Sequence, residues 1–295
     1  MTNYKRPFQF DRRTFLAACV ALVPMKATAA RISKLKFGFT SYEWGIDWDL
    51  PTLIANCAKA KAFGVELRTD ENHKHGVELS LNEAQRRQVK QRFADSPVRL
   101  LTINCGERFD SPDPAVRKAA VEKAKAYVLL ARDTGAAGIR VFPNDFHKEV
   151  PQTETIAQIA ESLNALGRFA QDYGQIIRLE NHGSAGRLTT LRKVMDLVDQ
   201  KNVRIKLNCD PKDNAGGGFA QNLALVKDRL DDTLHMRPYR DTAFPYQLQF
   251  DLLIDMGWEG WCIVEEEMKV PDPAQSLIEE NQIWQKMIAK SLERA

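Results

Sequence analysis

Between residues 34 and 292 the chain alternates short apolar runs with amphipathic stretches eight times, and this alternation narrows the folds open to it. The apolar runs fall at 34–40, 64–69, 98–104, 138–142, 176–180, 203–209, 233–237 and 261–264. Each is rich in branched or apolar residues and gives way to turn chemistry, as a buried parallel strand does. Between them, helical spacing of apolar residues covers 50–63, 80–94, 113–133, 155–173, 190–199, 219–230, 246–256 and 274–292. The helix starts agree: Asp49 stands ready to cap with Pro51 in the first turn, Ser80-Leu81-Asn82-Glu83 has a capping-box pattern, and Asp113-Pro114 opens a long helix. Parallel strands joined by helices need both sheet faces covered, and eight units close the sheet into a ring. The expected fold is α/β, a single (β/α)8 TIM barrel over 30–295, with an open doubly wound sheet as the competing architecture.

The first residues read differently. Arg12-Arg13-Thr14-Phe15-Leu16 precedes a short, alanine-rich apolar run to Val23 and then Lys26-Ala27-Thr28-Ala29. A charged start, an apolar stretch too short to span a bilayer and an A-x-A-type site describe an export signal. It resembles a twin-arginine signal, with residues 1–29 removed near Ala29 and the mature protein in the periplasm.

Removal of that segment changes the charge. It holds Lys5, Arg6, Arg12, Arg13 and Lys26 against Asp11, so the +3 of the whole chain becomes −1 for residues 30–295. No basic footprint for nucleic acid remains, and no later run is long and apolar enough to anchor the chain in a membrane. The cysteines past the signal, Cys57, Cys105, Cys209 and Cys262, fall in helical or strand patterns and read as buried free thiols. A homo-oligomer is left open.

Chemistry in such barrels sits at the carboxyl ends of the strands. Four of the apolar runs end in polar clusters: Glu180-Asn181-His182-Gly183, Asn208-Cys209-Asp210-Pro211, His235-Met236-Arg237-Pro238, and Val264-Glu265. Side chains two apart on a strand share a face, so Glu180 with His182, Asn208 with Asp210, and His235 with Arg237 can project together. A Glu, an Asp, a His and a Glu from four strand ends suit a divalent ion such as Mn, Co, Zn or Mg. Without a cation or a proton between them, those carboxylates would repel.

The set resembles the sugar phosphate isomerase/epimerase superfamily of xylose isomerase-like TIM barrels, over roughly residues 34–290. Gly64-Val65-Glu66-Leu67-Arg68, Leu179-Glu180-Asn181-His182-Gly183, Leu234-His235-Met236-Arg237, and Gly257-Trp258-Glu259-Gly260-Trp261 with Val264-Glu265 carry the likeness. The resemblance implies a metal-dependent isomerase or epimerase that abstracts a proton beside a carbonyl through an enediolate. Its ligands would be Glu180, a sixth-strand residue, His235 and Glu265, with Glu180 and Glu265 also as acid and base. Aligning strand starts selects Asn208 for the sixth strand; aligning the Asp-Pro turn selects Asp210, which a hard cation favours. Asn208 would then meet the substrate. The family's Asp-x-x-His pattern is broken, because Asp213 stands where the histidine would be. By the same resemblance Glu66 binds a sugar hydroxyl, and His182 and Arg237 position an oxygen.

Each residue also has a plainer reading. Glu66 and Arg68 make a strand-end ion pair, His182 a hydrogen-bonded barrel histidine, and Arg140 a partner for a buried carboxylate. Trp44 stacks on a sugar or packs its loop, and His73 with His75 lies in a long loop. Export and the lack of a glycine-rich phosphate cradle point to a non-phosphorylated sugar or keto sugar as the small-molecule partner. A sugar lyase or dehydratase using the same carbanion, or a non-catalytic sugar-binding barrel, are the alternatives.

Overall fold

The computed structural model describes residues 1–2, 31–69 and 73–294. The expected export signal therefore lies, but for its first two residues, outside the described part. Within the compact unit Arg31–Ala295, the strands are β1 Lys34–Thr40, β2 Gly64–Arg68, β3 Arg99–Arg108, β4 Gly138–Phe142, β5 Ile176–Glu180, β6 Val203–Lys206, β7 Thr233–Met236 and β8 Glu259–Val264. The helices between and after them are α1 Leu50–Lys59, α2 Glu83–Ala94, α3 Pro114–Thr134, α4 Gln152–Gln171, α5 Leu188–Asp196, α6 Phe219–Val226, α7 Tyr246–Asp255 and α8 Pro273–Leu292.

All ladders are parallel, in the order β6-β5-β4-β3-β2-β1-β8-β7. The ring is nearly closed. Between β6 and β7 a single bridge, Ile205 to Leu230, and two backbone bonds, Asp231 N–H to Ile205 O and His235 N–H to Leu207 O, both 2.8 Å, replace a ladder.

Local chemistry sets the helix starts. Asp49 accepts from Thr52 N at 2.9 Å and Asp113 from Ala115 N at 2.8 Å. The capping box of α2 forms two residues later than the Ser80 pattern predicts: the Asn82 side chain takes Gln85 N–H, and the Gln85 side chain takes Asn82 N–H. Asn and Gln satisfy the same donors as Ser and Glu, and the later pair is the one adjoining the helix.

The two faces of the strands divide the interior. Val65, Leu67, Ile139, Val141, Ile177 and Leu179 face outward into the apolar layer beneath the helices. The alternate residues point into the ring, and many are charged: Glu66, Arg140, Arg178, Lys206 and His235 are all buried. Inside, the lumen also holds a small apolar cluster of Leu101, Trp261 and Ile263. A Cβ on Gly64 would come within 2.5 Å of the Trp261 ring, so glycine is what admits the indole there.

Candidate metal centre

Glu180 ends β5, His235 lies in β7, and Glu265 follows β8, held in line by its N–H to Met236 O at 2.8 Å. Their ligand atoms lie within 4.8 Å of one another. His235 Nδ1 is 3.0 Å from Glu180 Oε2 and 3.3 Å from Glu265 Oε2. Yet His235 Nδ1 and Glu180 Oε2 are both buried without hydrogen-bond geometry to any partner. Two orphaned buried atoms, an oxygen and a nitrogen, converging with an oxygen of Glu265 on one point fit a divalent ion held by three protein ligands with positions left for water or substrate.

The surroundings hold the carboxylates ionised. Burial opposes the charge on Glu180, but Arg140, whose Nε lies 3.2 Å from Oε2, and then His235 bring it down to about 2. Glu265 is also lowered against its burial, mainly by His235, while the charge of Glu180 works the other way. Burial pulls His235 down, but Glu265, Glu180 and Glu66 outweigh both it and Lys206 and push the imidazole up to about 10. Without a cation, a proton on His235 therefore holds the cluster together.

Glu66 lies beneath this cluster and is 0 % exposed. Its Oε2 is 2.6 Å from His235 Nε2 and accepts from Asn104 Nδ2 at 3.1 Å; its Oε1 accepts from Lys206 Nζ at 2.8 Å and Thr102 Oγ1 at 3.0 Å. With both oxygens engaged in the lumen, Glu66 supports His235 and does not present itself to a sugar hydroxyl as the resemblance implied.

The sixth strand also departs from expectation. β6 ends at Lys206, and Cys209 takes a left-handed backbone with φ +49°. A strand's two-residue repeat fails across such a turn, so Asn208 and Asp210 do not share a face. Asp210 lies outside the convergent group: it caps the following turn, accepting from Lys212 N at 2.8 Å. Asn208 lines a cavity of about 430 Å³ together with Arg237, Arg240, Glu265 and Glu267. Asp213, at the position of the family's histidine, is 4 % exposed and accepts from Asn181 Nδ2 at 2.9 and 3.2 Å.

Arg237 borders the same cavity as Glu265, and its Nε is buried without a hydrogen-bond partner. His182 is exposed, its Nδ1 3.3 Å from Asn144 Oδ1 and its ring against Phe142. Trp44 is 2 % exposed and donates its indole N–H to Met268 O at 3.0 Å, so it packs its loop and offers no open face for a sugar. Glu266 turns its Oε1 to the N–H groups of Glu267 and Met268, which leaves Glu265 as the eighth-strand carboxylate of the cluster. Arg140 pairs with a buried carboxylate, as its plainer reading held. Lys206 went unnoticed in the sequence, although a charge flanked by Ile205 and Leu207 in an apolar run was the available sign.

The solved structures most like this one include D-psicose 3-epimerase of Clostridium cellulolyticum H10, with a TM-score of 0.70 and 18 % identity over 88 % of this chain and 100 % of that one. An L-ribulose 3-epimerase has a TM-score of 0.72 and 14 % identity over 87 % and 95 %. The IolI protein, solved with a bound zinc atom, has a TM-score of 0.71 and 15 % identity over 89 % and 100 %. At these identities the likeness is one of fold. An inosose dehydratase of Klebsiella pneumoniae is 28 % identical over 148 residues, 40 % of this chain, and the match spans 48 % of that relative's length. The family model of the xylose isomerase-like TIM barrel matches residues 54–288, and with the strand order and the grouped Glu, His and Glu at the strand ends this places the chain in the xylose isomerase-like TIM barrel family.

Proposed function

We propose that the protein is a divalent-metal-dependent isomerase or epimerase that takes a proton from the carbon beside the carbonyl of a non-phosphorylated sugar or keto sugar. The observation that carries this reading is the convergence of Glu180 Oε2, His235 Nδ1 and Glu265 Oε2, with two of the three atoms buried and unpaired. A bound Mn, Co, Zn or Mg ion would supply Lewis-acid polarisation of the carbonyl and hydroxyl oxygens, without which a carboxylate is far too weak a base for such a carbon. Arg140 keeps Glu180 ionised and so able to accept a proton, although it lowers its basicity, which the bound ion would offset by acidifying the carbon. Glu265 is the more exposed and borders the cavity, so it would draw a proton from solvent and pass it to the carbon from the other side. Asn208 and Arg237, on the cavity wall beside Glu265, are placed to meet the sugar oxygens. The same carbanion serves a dehydratase if a hydroxyl leaves, and the partial likeness to inosose dehydratase favours keeping this second reading. The export reading of residues 1–29 would place the reaction in the periplasm.

The test is metal analysis of the protein beside a Glu180→Gln/Glu265→Gln double variant, followed by a screen of keto sugars for solvent deuterium uptake. Stoichiometric metal and deuterium in the recovered sugar or product, both absent from the variant, are expected. A wild-type protein that takes up no divalent ion would end the reading and leave the sugar-binding barrel.

A further inference from the structure

We propose that Glu66 and Lys206 form a buried positioning pair that holds the imidazole of His235 with Nε2 on Glu66 and Nδ1 turned toward Glu180 and Glu265. The consequence for metal affinity rests on the function proposed above; the geometry does not. A carboxylate only accepts, so in the 2.6 Å contact with Glu66 Oε2 the hydrogen belongs to His235 Nε2. Nδ1 is then the nitrogen left for a cation once it gives up its own proton.

Glu66 cannot easily swing away. Lys206 Nζ, at 2.8 Å, holds its other oxygen, and Thr102 and Asn104 fix the carboxylate plane. Lys206 is fixed in turn by Thr233 Oγ1 at 2.8 Å, and that hydroxyl donates to Asp231 Oδ2 at 2.7 Å. β2 and β6 are four places apart in a ring of eight, so the pair bridges the lumen from one wall to the other. A strut of this kind transmits the rigidity of two strands to a side chain on a third.

A packing role is the rival explanation, and chemistry separates the two. Apolar residues of similar volume commonly replace a buried ion pair without loss of stability. They cannot accept a hydrogen from Nε2. Carboxylates that orient a ligand histidine typically carry about 10- to 100-fold in metal affinity.

The experiment uses the full chain, cobalt as the probe ion, and two variants, Glu66→Gln and Glu66→Leu/Lys206→Met. Proton NMR of the cobalt-free wild type should show a slowly exchanging, low-field imidazole N–H that is missing in His235→Asn. It should move upfield in Glu66→Gln, and the cobalt Kd of that variant should rise about 10- to 100-fold. The double variant should unfold cooperatively near the wild-type temperature yet lose the resonance and the cobalt affinity. An unmoved resonance in Glu66→Gln, or a folded double variant with wild-type cobalt affinity, overturns the proposal. Should the double variant not fold, Glu66→Gln alone decides. A wild type that shows the resonance, responds to Glu66→Gln and binds no cobalt would keep the positioning pair and remove the metal reading instead.

Discussion

Two clusters of buried charge share the barrel lumen, and they are built on opposite plans. Toward the strand starts, Arg178 donates from Nε to Asp231 at 2.6 Å and from Nη2 to Asp232 at 2.9 Å, cation to anion. Toward the strand ends, Glu180 and Glu265 both approach one nitrogen of His235, and two of those atoms lack a proper hydrogen bond. The first arrangement sets each anion on a cation, although Arg178 Nη1 and Asp231 Oδ1 are themselves buried without a hydrogen-bond partner. The second brings two anions onto one nitrogen, the arrangement that a divalent cation would fit. Neither buried charge nor an unpaired buried atom alone therefore marks a site, and the convergence of two carboxylates and an imidazole on one point is what sets the upper cluster apart from a brace.

The comparison can be broken most severely at the upper cluster. Glu265→Gln should remove metal binding and cut solvent deuterium exchange into substrate by about 10³-fold, while urea unfolding stays within about 1 kcal/mol of wild type because Glu265 is partly exposed and no buried arginine depends on it. At the lower cluster the balance reverses: Arg178→Met leaves Asp231 buried and unpaired, which should cost about 3–5 kcal/mol in urea unfolding, with metal affinity unchanged. Parallel loss of metal affinity would mean the two clusters act as one unit.

Asp213 tests a third case, a buried carboxylate answered by hydrogen bonds and no cation. Burial first, then the neighbouring Asp210, push it up to about 7 despite the Asn181 hydrogen bonds. The native state thus keeps a proton that the unfolded chain, at 3.8, gives up earlier. Its contribution to stability is full below about pH 4 and is lost as the pH rises through about 7. Asp213→Asn should remove that slope, so chemical denaturation at pH 8 should find the variant more stable than wild type by about 2 kcal/mol. The smallest effect is expected at Asp210, where Asp210→Ala removes a turn cap for about 1 kcal/mol. Isothermal titration with cobalt should find its metal affinity intact, whereas a large loss there would restore Asp210 as a ligand.

The strand and helix spans were legible because each is set by short-range pattern: apolar runs ending in turn residues for the strands, and caps at Asp49 and Asp113 for the helices. Glu180, His235 and Glu265 were legible for the same reason, since each directly continues an apolar strand. The expected shared face of Asn208 and Asp210 does not form because the strand ends two residues before Asn208 and the chain turns at Cys209, a conformation that a non-glycine residue does not announce, which leaves Asn208 on the cavity and Asp210 capping the turn. Glu66 and Lys206 pair across 140 positions of sequence, and no local spacing carries a contact of that range. Trp44 reads equally as a stacking or a packing residue until Met268 O is seen to take its N–H.

The joint between β6 and β7, closed by a bridge and two backbone bonds instead of a ladder, gives the ring a natural place to part. Glu180 sits on the β5–β6 flank of that joint, and His235 and Glu265 on the β7–β8 flank. An ion gripped from both flanks would act as a clasp, raising the cost of opening by its own binding free energy. The amides of Asp231 and His235 would then trade hydrogen with solvent more slowly in the loaded protein than in the empty one. Catalytic readiness and the mechanical closure of the barrel would be one event, seen from two sides.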